Sequence, residues 1–510
     1  MHDVRALLVS TYDLGRQPLG LASPAARLKA AGADVRAVDV SREVLVDAEI
    51  VEADAVAFYL PMHTATRLAM PLLDRVRALN PQATLAAYGL YAPLNADWLR
   101  ARGVAYVFGP YDERAMVDVL VGRALAPSLT ASSGNASVHA AGYDAGHAVG
   151  HDAVGHDAGD AGGRLAHHAP APLWMSAPEF VTPDRSALLP LARYAALQMP
   201  DGTRRVAGNT DATHGCKHLC RHCPIVPVYK GTFRAVPLDV VLADVRAQVE
   251  AGAEHITFGD PDFFNGPTHA RRLVERLAAQ HPGVSYDVTI KIEHLLAHAH
   301  LLPVLRDTGC VFITSAVESV DDAVLEKLRK GHTRADFVRA VGLCRDAGLS
   351  LAPTFVPFTP WTTLEGYRDL LRQIAALDLV GAVAPIQFAI RLLVTAESAL
   401  LELPDVQATI RAFDATGLVW PWQHVDPRVD ALQKRVMRLA SNRALTSREE
   451  AFGAIAEAAD AAVGAVVDAA IDVGGPPTVA GTPSMRPSPP YMTEAWYCCA
   501  EPGPEQLETL

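Results

Sequence analysis

Three cysteines, Cys216, Cys220 and Cys223, crowd into the run Thr213-His214-Gly215-Cys216-Lys217-His218-Leu219-Cys220-Arg221-His222-Cys223-Pro224, and this spacing constrains the chain more than any other feature. Three thiolates on one tight loop can ligate three irons of a [4Fe–4S] cube and leave the fourth iron open to a small molecule. Thiolates at short spacing also suit tetrahedral zinc, and His214, His218 and His222 stand close enough in sequence to complete such a shell. Structural zinc sites usually draw their ligands as two separated pairs, and no second pair follows here. Ligand softness and spacing together favour the cluster.

The spacing Cys-x3-Cys-x2-Cys resembles the signature of the radical S-adenosylmethionine superfamily. The resemblance implies that the amino and carboxylate groups of S-adenosylmethionine chelate the open iron, and that reductive cleavage of the sulfonium gives a 5′-deoxyadenosyl radical. His222 stands where that family commonly carries an aromatic residue beside the cofactor.

A chain of 510 residues exceeds what one core usually organises, so more than one domain is expected. The predicted fold class is α/β. Residues 1–125 alternate short apolar runs (Arg5–Ser10, Val35–Val40, Ala55–Leu60, Ala83–Tyr88, Ala105–Phe108) with amphipathic stretches, the pattern of a doubly wound, flavodoxin-like sheet. Such a domain ahead of a radical S-adenosylmethionine core resembles the cobalamin-binding architecture, which makes cobalamin a possible further cofactor. The cobalt-ligating pattern Asp-x-His-x-x-Gly is missing, however; the corresponding region reads Ser10-Thr11-Tyr12-Asp13-Leu14-Gly15-Arg16-Gln17. The glycine pair expected near the nucleotide tail is replaced by Tyr88-Gly89-Leu90-Tyr91.

Residues 126–172 collapse to Ala, Gly, His, Asp and Ser, a composition that buries too little apolar surface to offset its ordering entropy, and they read as a disordered linker. Residues 200–395 give six further strand candidates, Val206–Asp211, His255–Phe258, Tyr286–Lys291, Val311–Ser315, Leu351–Val356 and Ala384–Ile390, which imply a partial (β/α)6 barrel with its ligands at the strands' C-terminal ends. Residues 396–473 read as a helical extension, and 474–510 as a Pro-rich linker and tail.

The resemblance also assigns cofactor-binding residues. Gly259-Asp260 closes the second barrel strand, where the family carries a Gly-Gly-Glu-like element for the methionyl amino group. Glu318 and Ser319 end the fourth strand and resemble a segment that contacts the ribose and methionyl carboxylate. Phe358 is expected to flank the adenine. Gln387 and Arg391, with His424, extend the rim as substrate contacts, the arginine suited to gripping a carboxylate or phosphate.

The chain ends in Cys498-Cys499-Ala500-Glu501-Pro502, which looks like the tail defining the CUAEP/CCAEP-tail radical S-adenosylmethionine proteins. Adjacent thiols do not easily form an unstrained disulfide with each other, yet they can chelate a soft atom or reduce an intermediate, so Cys498 and Cys499 are the catalytic candidates. The resulting expectation is a radical S-adenosylmethionine enzyme acting on a small molecule and fed by an electron donor such as flavodoxin or ferredoxin. Aminocarboxypropyl transfer to a soft acceptor and a non-catalytic zinc or cluster module are the alternatives.

A net charge of −12 disfavours a nucleic-acid partner, which needs clustered cations to neutralise phosphates. No apolar run approaches the ~20 residues of a membrane span, and a cytoplasmic location is expected.

Overall fold

The computed structural model describes residues 4–123, 178–467 and 488–494. The 126–172 linker and the tail cysteines Cys498 and Cys499 lie outside these residues.

The first sheet is fully parallel, with β1 (Arg5–Ser10), β2 (Asp34–Asp39), β3 (Ala55–Tyr59), β4 (Thr84–Tyr88) and β5 (Tyr106–Phe108) in the order β2-β1-β3-β4-β5. Each strand stands within a residue of its predicted place. Ala6 to Val9 and Ala55 to Phe58 are almost wholly buried because helices cover both faces, which is why these strands read as continuous apolar runs rather than alternating ones. The order reverses between β1 and β3, so the crevice for a ligand opens above their C-terminal ends.

The second sheet is a half-barrel. It contains β6 (Ala196–Gln198), β7 (Arg204–Thr210), β10 (His255–Phe258), β11 (Ser285–Thr289), β12 (Cys310–Glu318), β13 (Ser350–Phe355) and β14 (Tyr491–Met492), ordered β13-β12-β11-β10-β7-β6-β14. The five strands from β7 to β13 are parallel, while β6 and β14 add antiparallel to the β7 edge. A small hairpin of β8 (Thr213–Gly215) and β9 (Phe233–Ala235) brackets the cysteine loop. Apolar faces of the helices Leu238–Glu250, Pro267–Gln280, Arg334–Asp346 and Leu364–Ala376 close the outer side of the core.

The sixth barrel strand predicted at Ala384–Ile390 is reduced. Pro385–Phe388 forms a 3-10 turn, and the chain pairs with β13's extension only at the bridge Phe358–Arg391. Proline brings no N–H to a ladder, and the Gln387 side chain fills the gap by accepting from the Phe355 N–H at 3.0 Å. Beyond this point, Pro427–Ala440 and Arg448–Val467 supply the expected helical region.

Candidate functional site at the mouth of the half-barrel

The cysteine loop leaves β7 directly. Gly215 adopts φ +82°, and a Cβ there would stand 2.5 Å from both the Thr232 carbonyl oxygen and the Tyr229 ring, so only glycine permits the turn into Cys216. Cys220 is buried, and Cys216 and Cys223 are half-buried. Burial pushes the Cys216 thiol up to about 11, a cost that a bound metal removes by holding the thiolate.

Among the described residues, the one set of three His, Cys, Asp or Glu donors within 4.8 Å of one another is His218, Asp262 and His294. At least one pair of the three cysteine sulfurs therefore stands more than 4.8 Å apart, beyond the roughly 3.8 Å that tetrahedral bonds of ~2.3 Å to a single zinc would impose. The loop histidines also turn away: His214 stacks on Tyr111, His218 faces Asp262, and His222 donates through Nε2 to Glu318 Oε1 at 3.1 Å.

Glu318 is the most constrained of the expected cofactor-binding residues. It ends β12 in the left-handed region at φ +68°, a strained conformation for a glutamate, and Lys330 Nζ lies 3.2 Å from the same oxygen that His222 contacts. Burial opposes ionisation here, but Lys330 and His222 outweigh it and hold the carboxyl down at about 2. Ser319 accepts from the Asp321 N–H and shapes the turn that follows.

Asp260 accepts from the Ala212 N–H at 2.8 Å and from the Thr213 hydroxyl at 2.6 Å, bracing the segment that leads into the cysteines. Burial, helped by neighbouring Asp211, lifts its carboxyl to about 7. Gly259 beside it has no room for a side chain: a Cβ would stand 2.4 Å from Asp211 Oδ1.

Other expected contacts are placed differently. Phe358 is fully buried with its ring stacked on Tyr367 at 4.8 Å, so it belongs to the core and does not flank an adenine. Arg391 pairs with Asp430 at 2.6 Å, donates to the Trp422 carbonyl and lies over the Trp422 ring. His424 donates its backbone N–H to Asp430 as well and accepts from the Asp426 N–H at Nδ1. With Gln387 bound to Phe355, these three residues secure the reduced sixth position rather than presenting a substrate grip. An apolar or cationic residue at a strand end does not reveal in sequence which way it points.

Between the ends of the two sheets lies a cavity of about 310 Å³. Cys223, Gly259 and Asp260 line it from the half-barrel, and Asp13, Arg16 and Tyr59 from the first sheet. The sequence reading did not anticipate the role of Asp13 and Asp211 here. Asp13 is raised to about 7 by burial against the partial relief of Arg16, and burial raises Asp211 as well. Tyr59 and Tyr88 crowd the first sheet's side: Tyr88 donates to the Gly20 carbonyl at 2.7 Å, and the Tyr59 ring occupies the place a Cβ on Gly20 would take. His214 is the sole imidazole among the residues lining this cavity.

The tail approaches the same region. Tyr491–Met492 pairs with β6, Tyr12 donates to Glu494 Oε1 at 3.0 Å, and Arg42 reaches Glu494 Oε2 at 3.2 Å.

Residues 211–372 match the family model described as the Radical SAM superfamily. The chain is 28% identical over 172 residues to the ribosomal protein uS12 methylthiotransferase RimO of Parabacteroides distasonis, an alignment covering 31% of this chain and 38% of the relative. The chain thus spans under two fifths of that relative's length. The cobalamin-dependent S-adenosylmethionine radical enzyme OxsB, solved with aqua-cobalamin bound, superposes with a TM-score of 0.62 at 14% identity, over 85% of this chain and 66% of that one. The radical S-adenosylmethionine methyltransferase TsrM from Kitasatospora setae gives 0.53 at 16% identity, over 73% and 71%. Both likenesses concern the fold.

Proposed function

With residues 211–372 forming a domain of the Radical SAM superfamily, we propose that the chain reductively cleaves S-adenosylmethionine at a [4Fe–4S] cluster held by Cys216, Cys220 and Cys223, and that the radical so started acts on a small molecule in the cavity between the two sheets. The carrying observation is that Cys223 and Asp260 line the same cavity as Asp13 and Arg16 of the first sheet. When bound, the cluster and S-adenosylmethionine supply a carbon-centred radical; everything else is the work of the chain.

Asp260 braces the cysteine loop through Ala212 and Thr213. Asp13, Asp211 and Asp260 give the cavity wall carboxyls that a sulfonium or ammonium group draws into their charged form, because a nearby cation favours the ionised state. Glu318 and Lys330 form a buried ion pair at the end of β12, with groups of a kind suited to hydroxyls and a carboxylate respectively. A corrin would meet Tyr59 and Tyr88 on the first sheet, and the loop after β1 offers no imidazole to its lower face. Any cobalamin bound here is therefore unligated by histidine from that loop.

The C-terminal dithiol is assigned to an intermediate in the cavity. Glu494 is docked beside Tyr12, next to cavity-lining Asp13, and Cys498 lies four residues farther on, a reach of roughly 13 Å at ~3.3 Å per residue.

The test is anaerobic incubation with S-adenosylmethionine and dithionite followed by mass spectrometry. Release of 5′-deoxyadenosine is expected. Methylthioadenosine instead would establish aminocarboxypropyl transfer, and neither product, from protein containing iron and acid-labile sulfide, would overturn the reading. Serine at both Cys498 and Cys499 should leave iron content unchanged and stop product formation on the small molecule; an unchanged yield would remove the tail from the mechanism.

A further inference from the structure

Beside the cysteine loop, three side chains from separate segments converge. His218 lies within the loop, Asp262 follows β10, and His294 sits in the helix Ile292–Ala297 after β11. Asp262 Oδ1 accepts from the Phe264 N–H at 3.1 Å, which fixes the carboxylate and leaves Oδ2 aimed at the imidazoles. That oxygen lies 2.7 Å from His294 Nδ1 and 3.5 Å from His218 Nε2, and the two Nε2 atoms are 3.3 Å apart. The side chains of Asp262 and His294 are 2% and 5% exposed. Despite the 2.7 Å approach, both Asp262 Oδ2 and His294 Nδ1 are buried without a properly directed hydrogen bond.

Buried polar atoms are ordinarily hydrogen-bonded, and Asp262 and His294 meet as an ion pair whose poor hydrogen-bond direction leaves both atoms open to a shared ion. Taking one donor atom from each residue, all three lie within 4.8 Å of one another, and bonds of ~2.1 Å at angles of 90–109° to one ion would draw them to roughly 3.0–3.4 Å. Two imidazoles with one carboxylate are a donor set for Fe²⁺, Zn²⁺ and similar ions. The surroundings supply the outer partner such a histidine needs, since Glu293 Oε2 stands 3.6 Å from His218 Nδ1. Lys291 Nζ, 3.2 Å from the same nitrogen and 2.9 Å from Glu293, offers the competing arrangement. His218 exposes Nε2 as a lone pair when Nδ1–H donates to Glu293, and loses that lone pair when Nδ1 accepts from Lys291.

We propose that His218, Asp262 and His294 bind one divalent first-row transition ion, distinct from the cluster, which ties the middle of the cysteine loop to the ends of β10 and β11. The ion would fix His218, two residues from both Cys216 and Cys220, and so hold the thiols in place while the cluster is assembled.

The experiment uses the full-length protein, reconstituted anaerobically with iron and sulfide, treated with a chelator and then dialysed against Zn²⁺. One zinc per chain is expected beyond the cluster irons. X-ray absorption at the zinc edge should show a first shell of nitrogen and oxygen only; sulfur at ~2.3 Å would place the zinc on cysteines and overturn the proposal. His294→Gln and Asp262→Asn should each lose the zinc, and replacing the six histidines of residues 126–172 by serine should not. Zinc retained in both variants, or absent from wild-type protein, would also overturn it. Failure here leaves the proposed function standing, because the cluster and its turnover are read separately by iron, sulfide and 5′-deoxyadenosine.

Discussion

Two sheets with parallel cores end at one cavity, yet their C-terminal ends are furnished differently. The half-barrel end is charged and hydrogen-bonded, with a strained Glu318 gripped by His222 and Lys330 and a buried Asp260 bracing the cysteine loop. The end of the first sheet is aromatic, with Tyr59 and Tyr88 packed on the Gly20 segment and only Asp13 and Arg16 among the charged side chains reaching the cavity from its β1 loop. The difference teaches that architecture alone does not assign chemistry: among the described residues both sheets have a ligand-binding topology, and only one leads into a loop of three closely spaced cysteines.

The largest effect that would test this contrast falls on the thiols. Alanine at Cys216, Cys220 and Cys223 together should reduce iron and sulfide to background and lower 5′-deoxyadenosine release by more than about 10³-fold, because the three irons held by the protein would all lose their thiolates. Appreciable turnover in this variant would erase the distinction between the two ends.

Next comes the buried pair. Lys330→Met leaves Glu318 ionised and without its lysine in a site only 6% exposed, and removing one partner of such a pair typically costs about 3–5 kcal/mol. A fall in Tm of several degrees is expected by calorimetry. The pH dependence has a definite sign: because the folded carboxyl is held near 2, below its usual 4.5, the stabilisation is complete above pH 4.5 and is lost as pH falls through 2. Glu318→Gln should abolish that acid-dependent loss.

A smaller effect concerns both ends at once. Asp13 and Asp260 are each raised to about 7, so both are more fully ionised above neutrality. The affinity for S-adenosylmethionine, a sulfonium cation, should therefore tighten between pH 6 and 8, by up to about tenfold. Calorimetric titration in buffers of different ionisation enthalpy should show proton release; a pH-independent Kd would mean that the carboxyls do not meet the cation.

The smallest is spectroscopic. Aqua-cobalamin added to the protein should give a spectrum without imidazole ligation, unchanged by His214→Ala. An imidazole-ligated spectrum would show that a histidine reaches the corrin.

Much of this was legible from the residues. Continuous apolar runs located the five strands of the first sheet, since strands covered on both faces carry no polar alternation to confuse the pattern. The family of residues 211–372 was legible because the cysteine spacing that signals it is local. The sixth barrel position was not, because Ala384–Ile390 has the composition of a strand while Pro385 and the Gln387 side chain replace its ladder. Phe358 and Arg391 were assigned to a pocket from their place at a strand end; burial against Tyr367 and pairing with Asp430 depend on neighbours that sequence proximity does not reveal. The grouping of His218 with Asp262 and His294 is of the same kind, created when three segments meet in space.

The short edge strand Tyr491–Met492 carries a mechanical consequence. Its backbone is laced to the half-barrel through Leu197 and Gln198, while the next residues are gripped by Tyr12 and Arg42 of the other sheet. The segment 491–494 is thus a stitch across the seam: parting the two halves to admit a bulky guest would strip Glu494 from one side or unzip the strand from the other.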